Sequence, residues 1–178
     1  MDLPPYTPRL GFWIATIFVI SVTIFPLILL GVFSDVVDAS APEILNNFGL
    51  LMISSSCVAL LQTLLLVSRS LQERAQWFGI TVAGTAIGWG IVYALSPLLG
   101  ELQPSSPSSN QLIIVVLHGI GTGAPIGAVV GLVTGFIQGR FQPLSARAWL
   151  VGNLISWSIG IGVPYALLFA ALSQISLF

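Results

Sequence analysis

The sequence predicts an all-α, polytopic membrane helix bundle of about five crossings, with its amino terminus on the cytoplasmic side. Three observations predict it: a chain nearly without charge, five apolar runs of spanning length, and arginines that all fall on one side. Of 178 residues, 6% are charged and 56% are hydrophobic, at a mean hydropathy of +1.00. A soluble domain carries about 25% charged residues. A chain this poor in charge cannot clothe itself against water, and lipid removes the need. The net charge of −1 gives no reason to expect nucleic acid as a partner. A single cysteine, Cys57, allows no internal disulfide. No cleavable leader is expected, because the first apolar run is too long for one and no small-residue cleavage site follows it.

The runs are Gly11–Phe33, Phe48–Ser68, Trp77–Leu99, Gln111–Gln138 and Trp149–Leu172. Each suits a crossing of about 20 residues. Each should be helical, because a lipid-embedded backbone must satisfy its own hydrogen bonds. Placing the amino terminus inside puts Arg9, Arg69, Arg74, Arg140 and Arg147 inside, and Asp35, Asp38, Glu43 and Glu101 outside. That is the positive-inside pattern. Trp13, Trp77 and Trp149 then fall at the inner boundary, and Tyr93 and Tyr165 toward the outer one, as an aromatic belt would.

The loops carry their own signals. Glu101–Asn110 is polar and proline-rich, hence irregular. Ser40-Ala41-Pro42-Glu43 is a helix-start signature, so the second helix should begin near Ala41. Glu73 and Arg74 read as adjacent loop charges. Pro26, Pro125 and Pro164 lie within helices 1, 4 and 5 and should bend them.

The second half of the chain repeats the first. Trp77–Leu95 and Trp149–Leu167 align without gaps, and 7 of 19 positions are identical. They include Trp77 with Trp149, Gly88 with Gly160, and Tyr93-Ala94-Leu95 with Tyr165-Ala166-Leu167. The repeat units, about 48–99 and 111–172, run in the same direction and would be related by an axis along the membrane normal. The first helix stands outside them.

Helix 4 carries a glycine ladder: Gly119, Gly123, Gly127, Gly131, Gly135 and Gly139 recur at every fourth residue. A ladder of this kind, a glycine zipper, leaves one helix face smooth and lets another backbone approach closely. Gly84 and Gly88 on helix 3, and Gly152 and Gly160 on helix 5, are candidate counterparts. The plain reading is packing within the chain. The sharper one is contact with another subunit or a flat ligand.

Candidate chemistry is sparse. His118, the sole histidine, lies in the apolar run just before the ladder. Intramembrane ionisable groups are functional candidates, and a neutral imidazole can ligate the metal of a macrocycle lying on a glycine face. The plainer alternative is a histidine bonded to a neighbouring carbonyl or hydroxyl. Gln62, Gln138 and Asn153 are further ligand candidates, with bonding between helices as their ordinary role. Cys57 reads as a small core residue. No enzyme is expected. Paired intramembrane acids, a Gly-x-Ser-x-Gly elbow and a P-loop are all missing, lysine is absent, and one histidine with one cysteine cannot build a protein-only zinc site.

Gly127, Gly131, Gly135, Gln138, Arg140, Trp149, Asn153 and Trp157, with Gln62, Trp77, Gly88 and Trp89, form a pattern that resembles small, uncharacterised membrane proteins of cyanobacterial type built from helix-pair repeats. The departures are Thr63 and Gly139 where that family has tryptophan, and Ser156 where it has glycine. The resemblance covers about two thirds of the chain. It implies a helix-pair fold and a lineage and brings no known activity; the photosynthetic setting expected here, a thylakoid or bacterial inner membrane with chlorophyll or carotenoid as candidate ligand, rests on it alone. The expected function is an accessory subunit of a larger membrane complex, partnered by lipid and other integral subunits. The alternative is a small transporter, channel or substrate-binding component for a neutral solute, since parallel repeats and kinked helices occur in carriers.

Overall fold

The computed structural model describes residues 9–29, 41–66, 70–95, 98, 112–142 and 145–175; of residues 27–29, 41–46 and 172–175 it describes the backbone alone. The expectations for Asp35, Asp38, Arg69 and the Glu101–Asn110 loop lie outside these residues.

The described residues form five helices: α1 Leu10–Leu29, α2 Ala41–Leu65, α3 Leu71–Ala94, α4 Leu112–Phe141 and α5 Ala146–Ile175. Residues 47–65, 71–94, 112–141 and 146–171 are each long and apolar enough to cross a membrane, and α1 supplies a shorter apolar stretch, Leu10–Pro26. The chain is an all-α membrane bundle. α4 and α5, at 30 residues each, would measure about 45 Å at 1.5 Å per residue. That exceeds a hydrocarbon core of about 30 Å, so both must tilt or protrude. Pro26, Pro125 and Pro164 all lie within continuous helices.

Two boundaries teach something about local sequence. α2 begins at Ala41, where the Ser-Ala-Pro-Glu signature places it. α3 begins six residues earlier than its apolar run. Ser70 caps it: Glu73 N donates to Ser70 Oγ at 3.3 Å, and Ser70 N donates to Glu73 Oε2 at 2.9 Å. This reciprocal box satisfies two otherwise orphaned donors. Glu73 and Arg74 therefore belong to the first turn of α3, which corrects their reading as loop charges.

The helices pack in chain order around a closed ring: α1 on α2, α2 on α3, α3 on α4, α4 on α5, and α5 back on α1. The two hairpins, α2–α3 and α4–α5, repeat in burial as well as in sequence. At an offset of 72, the buried positions of α3 coincide with those of α5: 77 with 149, 81 with 153, 84 with 156, 85 with 157, 88 with 160 and 92 with 164. At an offset of 76, those of α2 coincide with those of α4: 51 with 127, 55 with 131, 58 with 134, 59 with 135 and 62 with 138. The difference of four is extra chain in the first hairpin's turn. α1 stands outside the repeat and breaks its symmetry. Gly88 of α3 lies against Val130 of α4, while its counterpart Gly160 lies against Ile20 of α1. α1 thus occupies the side of α5 that corresponds to the α4-facing side of α3.

Inside and outside differ in size and polarity more than in hydrophobicity. The exposed faces carry Ile14, Phe18 and Val22 on α1 and Val151, Ile155, Ile159, Val163 and Leu167 on α5. The interior holds glycine, serine, threonine, amides and tryptophan beside aliphatic residues such as Ile20, Ile24, Leu51, Val58, Val130 and Ile161. That is the expected order in lipid, where acyl chains are as apolar as leucine and close packing and hydrogen bonds hold helices together.

Candidate functional site

The tryptophans fill the interior. Trp89 and Trp157 are fully buried and meet edge to face at 6.1 Å between ring centroids. Trp89 Nε1 donates to Ser55 Oγ at 3.1 Å, tying α3 to α2. At the end of the bundle that carries Arg9, Arg74, Arg140 and Arg147, the rings of Phe12, Trp13, Trp77 and Trp149 pack into one cluster. Trp77 and Trp149, equivalent residues of the two repeats, lie 4.5 Å apart by ring centroid. This corrects the aromatic-belt expectation: Trp77 and Trp149 are buried at 5% and 1% exposure. Tyr165 is buried as well, and Tyr93 packs against the same central core.

One helical turn into the bundle from Trp77 and Trp149 lies a buried amide cluster. Gln138 is its hub. Gln138 Nε2 donates to Gln62 Oε1 at 3.0 Å and to Thr81 Oγ1 at 2.8 Å. Asn153 Nδ2 donates to Gln138 Oε1 at 2.6 Å and to the Trp149 carbonyl at 2.8 Å. Thr81 Oγ1 in turn donates to the Trp77 carbonyl at 2.9 Å. Gln62, Gln138 and Asn153 are thus brought together, each fully buried, joining α2, α4 and α5. Thr81 of α3 completes the set, a role its sequence context alone does not announce. The signal lies in the repeat alignment, which places it opposite Asn153. Gln62 Nε2 and Asn153 Oδ1 have no hydrogen-bond partner among the described residues. The cluster consists of neutral amides and a hydroxyl. It can fix helix register and donate or accept hydrogen bonds, but it holds no acid, base or nucleophile.

The glycine ladder faces α5 along its whole length. A Cβ at Gly119 would sit 2.5 Å from the Ala166 Cα, at Gly123 2.9 Å from the Ile161 carbonyl oxygen, at Gly131 2.5 Å from the Asn153 carbonyl oxygen, and at Gly135 2.8 Å from the Leu150 Cα. At Gly127 it would fall on the Trp157 carbonyl, and at Gly139 it would meet Ala146. Real side chains do not approach so closely, so glycine is required at 119, 123, 127, 131 and 135, whereas the contact at Gly139, 3.2 Å to the Ala146 Cβ, is tight without being excluded. Gly84 and Gly88 let α3 approach Thr134 and Val130 on another side of α4. Gly152 and Gly160 accommodate Trp13 and Ile20 of α1. With α5 filling the ladder, no macrocycle can lie on it, which corrects the flat-ligand reading of that face.

His118 stands apart from the amide cluster, toward the opposite end of α4. Its imidazole is half-buried and edge-on to Phe169, with centroids 4.8 Å apart. Its backbone carbonyl accepts from Thr122 Oγ1 at 3.0 Å. Cys57 is exposed on the outer surface of α2, where Met52, Ser56 and Phe78 border it, which corrects its placement in the core. Among the described residues, no group of His, Cys, Asp and Glu is placed to hold a metal ion. Comparison with protein-family models, with curated proteins and with solved structures finds no match.

Proposed function

We propose that the chain is a small accessory subunit of a larger membrane complex, a structural element whose outer helix faces contact lipid and neighbouring integral subunits. The observation that carries this reading is where the chemistry lies. Gln62, Thr81, Gln138 and Asn153 lie buried and bond to one another, and the outward-facing surface is rich in Ile, Leu, Val and Phe. Such a molecule has rigidity to offer rather than a reaction. The solute-carrier alternative gains no support from the interior, where Ile20, Val58, Trp89, Val130 and Trp157 are all fully buried.

The photosynthetic part of the proposal, with a thylakoid or bacterial inner membrane as its setting, rests on the resemblance to helix-pair proteins of cyanobacterial type. Its pigment part concerns His118, the sole histidine, whose half-exposed imidazole is suited to ligate a chlorophyll. A mild-detergent pull-down from native membranes, with an absorption spectrum of the eluate, tests the reading. Co-purifying larger membrane proteins and a red absorption band are expected. A lone, colourless chain would overturn the proposal. His118→Leu should lower the bound pigment, and an unchanged stoichiometry would reject that role.

A further inference from the structure

The inner ends of α4 and α5 enclose a groove of about 230 Å³ that the amide cluster and the tryptophan core leave untouched. Small residues, Gly139 and Ala146, and apolar ones, Phe136 and Leu150, line it, and Arg140 and Arg147 flank it. Arg140 closes α4 and Arg147 opens α5, so both guanidinium groups lie at the boundary of their spans. Arg140 is held over the Phe136 ring, 5.1 Å from its centroid. Among the described residues neither arginine has an ionic or hydrogen-bonding partner, and Glu73, the one acid described at this end, is engaged by Ser70. The groove is therefore doubly cationic at headgroup depth and apolar toward the bilayer interior.

We propose that this groove binds one anionic phospholipid, with its phosphodiester between Arg140 and Arg147 and an acyl chain along Phe136 and Leu150. Guanidinium groups match phosphate oxygens in geometry as well as charge, and basic pockets between helices at the inner face are suited to anionic headgroups. The repeat supplies a contrast within the same molecule. The positions equivalent to Arg140 and Arg147 in the first hairpin are Leu64 and Ala75, so the arginine pair is not repeated at the equivalent α2–α3 positions, although Arg74 stands beside Ala75.

The test is native mass spectrometry of the full chain in mild detergent, titrated with phosphatidylglycerol and, separately, phosphatidylcholine. One tightly retained phosphatidylglycerol per chain is expected, preferred over phosphatidylcholine by about tenfold or more. The Arg140→Gln/Arg147→Gln variant should lose that preference, Arg74→Gln should keep it, and Arg140→Lys/Arg147→Lys should retain part of it. Equal retention of the two lipids by the unaltered chain would overturn the proposal, even if the double glutamine variant did not fold. A preference that survives in a folded double variant would overturn it as well.

Discussion

Gln62 and Gln138, equivalent residues of the two hairpins, face each other inside the bundle, with Gln138 Nε2 donating to Gln62 Oε1 at 3.0 Å. Trp77 and Trp149 repeat this relationship one layer away, as equivalent rings in contact. Residues related by a repeat meet only where they lie close to its axis. These two pairs therefore mark the pseudo-two-fold axis of the molecule. The two amides also differ in what they do. Gln138 additionally serves Thr81 and Asn153, whereas Gln62 makes the single bond.

That asymmetry predicts unequal mutational costs. Gln138→Leu leaves Gln62 without its one bond and Asn153 with the Trp149 carbonyl alone, and removing one partner of a buried pair costs about 1–3 kcal/mol. Interhelical hydrogen bonds in membranes average about 0.6 kcal/mol each, so the loss of several bonds places Gln138→Leu near 2 kcal/mol. Gln62→Leu should cost about half as much. Reversible unfolding by titration with a denaturing detergent measures both. A Gln62 variant less stable than the Gln138 variant would contradict the assignment of the hub.

The glycines fall into two kinds that one substitution distinguishes. Gly127→Ala drives a methyl group into the Trp157 carbonyl, and overpacking of this sort costs about 1–3 kcal/mol. A Cβ at Gly90 meets nothing within 4 Å. Gly90→Ala should therefore be neutral or stabilising by up to about 1 kcal/mol, the helix-propensity difference. The same unfolding assay reads both variants, and similar effects at the two positions would contradict the seam.

How much of this was legible in the sequence depended on periodicity. The five apolar runs, the α3–α5 repeat and the ladder announce themselves, because spacing along a helix maps directly to a face. Gln62, Gln138 and Asn153 stood out because amides are costly in lipid without partners. Other features were hidden for physical reasons. An indole suits both the membrane interface and a close-packed interior, so Trp77 and Trp149 could not be assigned to either by position. Thr81 bonds its own helix in the ordinary way, which masks its second role as acceptor. The wedge of α1 against Gly152 and Gly160 depends on helix order around the ring, and apolar composition does not encode that order. Ser70 and Glu73 have the spacing of a capping box, but hydropathy marks only the lipid-facing part of a helix, and the polar first turn of α3 precedes the run that begins at Trp77.

Topology gives a third prediction. In a Cys57→Ser background, cysteines introduced at positions 104–109 should react with a membrane-impermeant maleimide from the outer side of intact cells. A cysteine at position 72, next to the Ser70 cap, should react only after permeabilisation. Cys57 itself, in the middle of α2 and facing lipid, should resist the water-soluble reagent. The opposite labelling would invert the orientation inferred from the arginines.

The proposed scaffold role implies that the packed core of the described residues, with Ile20, Val58, Trp89, Val130 and Trp157 fully buried, gives a solute no passage. Light scattering from proteoliposomes of the purified chain under an osmotic step of glycerol or urea tests it most directly. The account predicts swelling at the rate of protein-free liposomes. Swelling that is faster, in proportion to the amount of chain reconstituted, would contradict it.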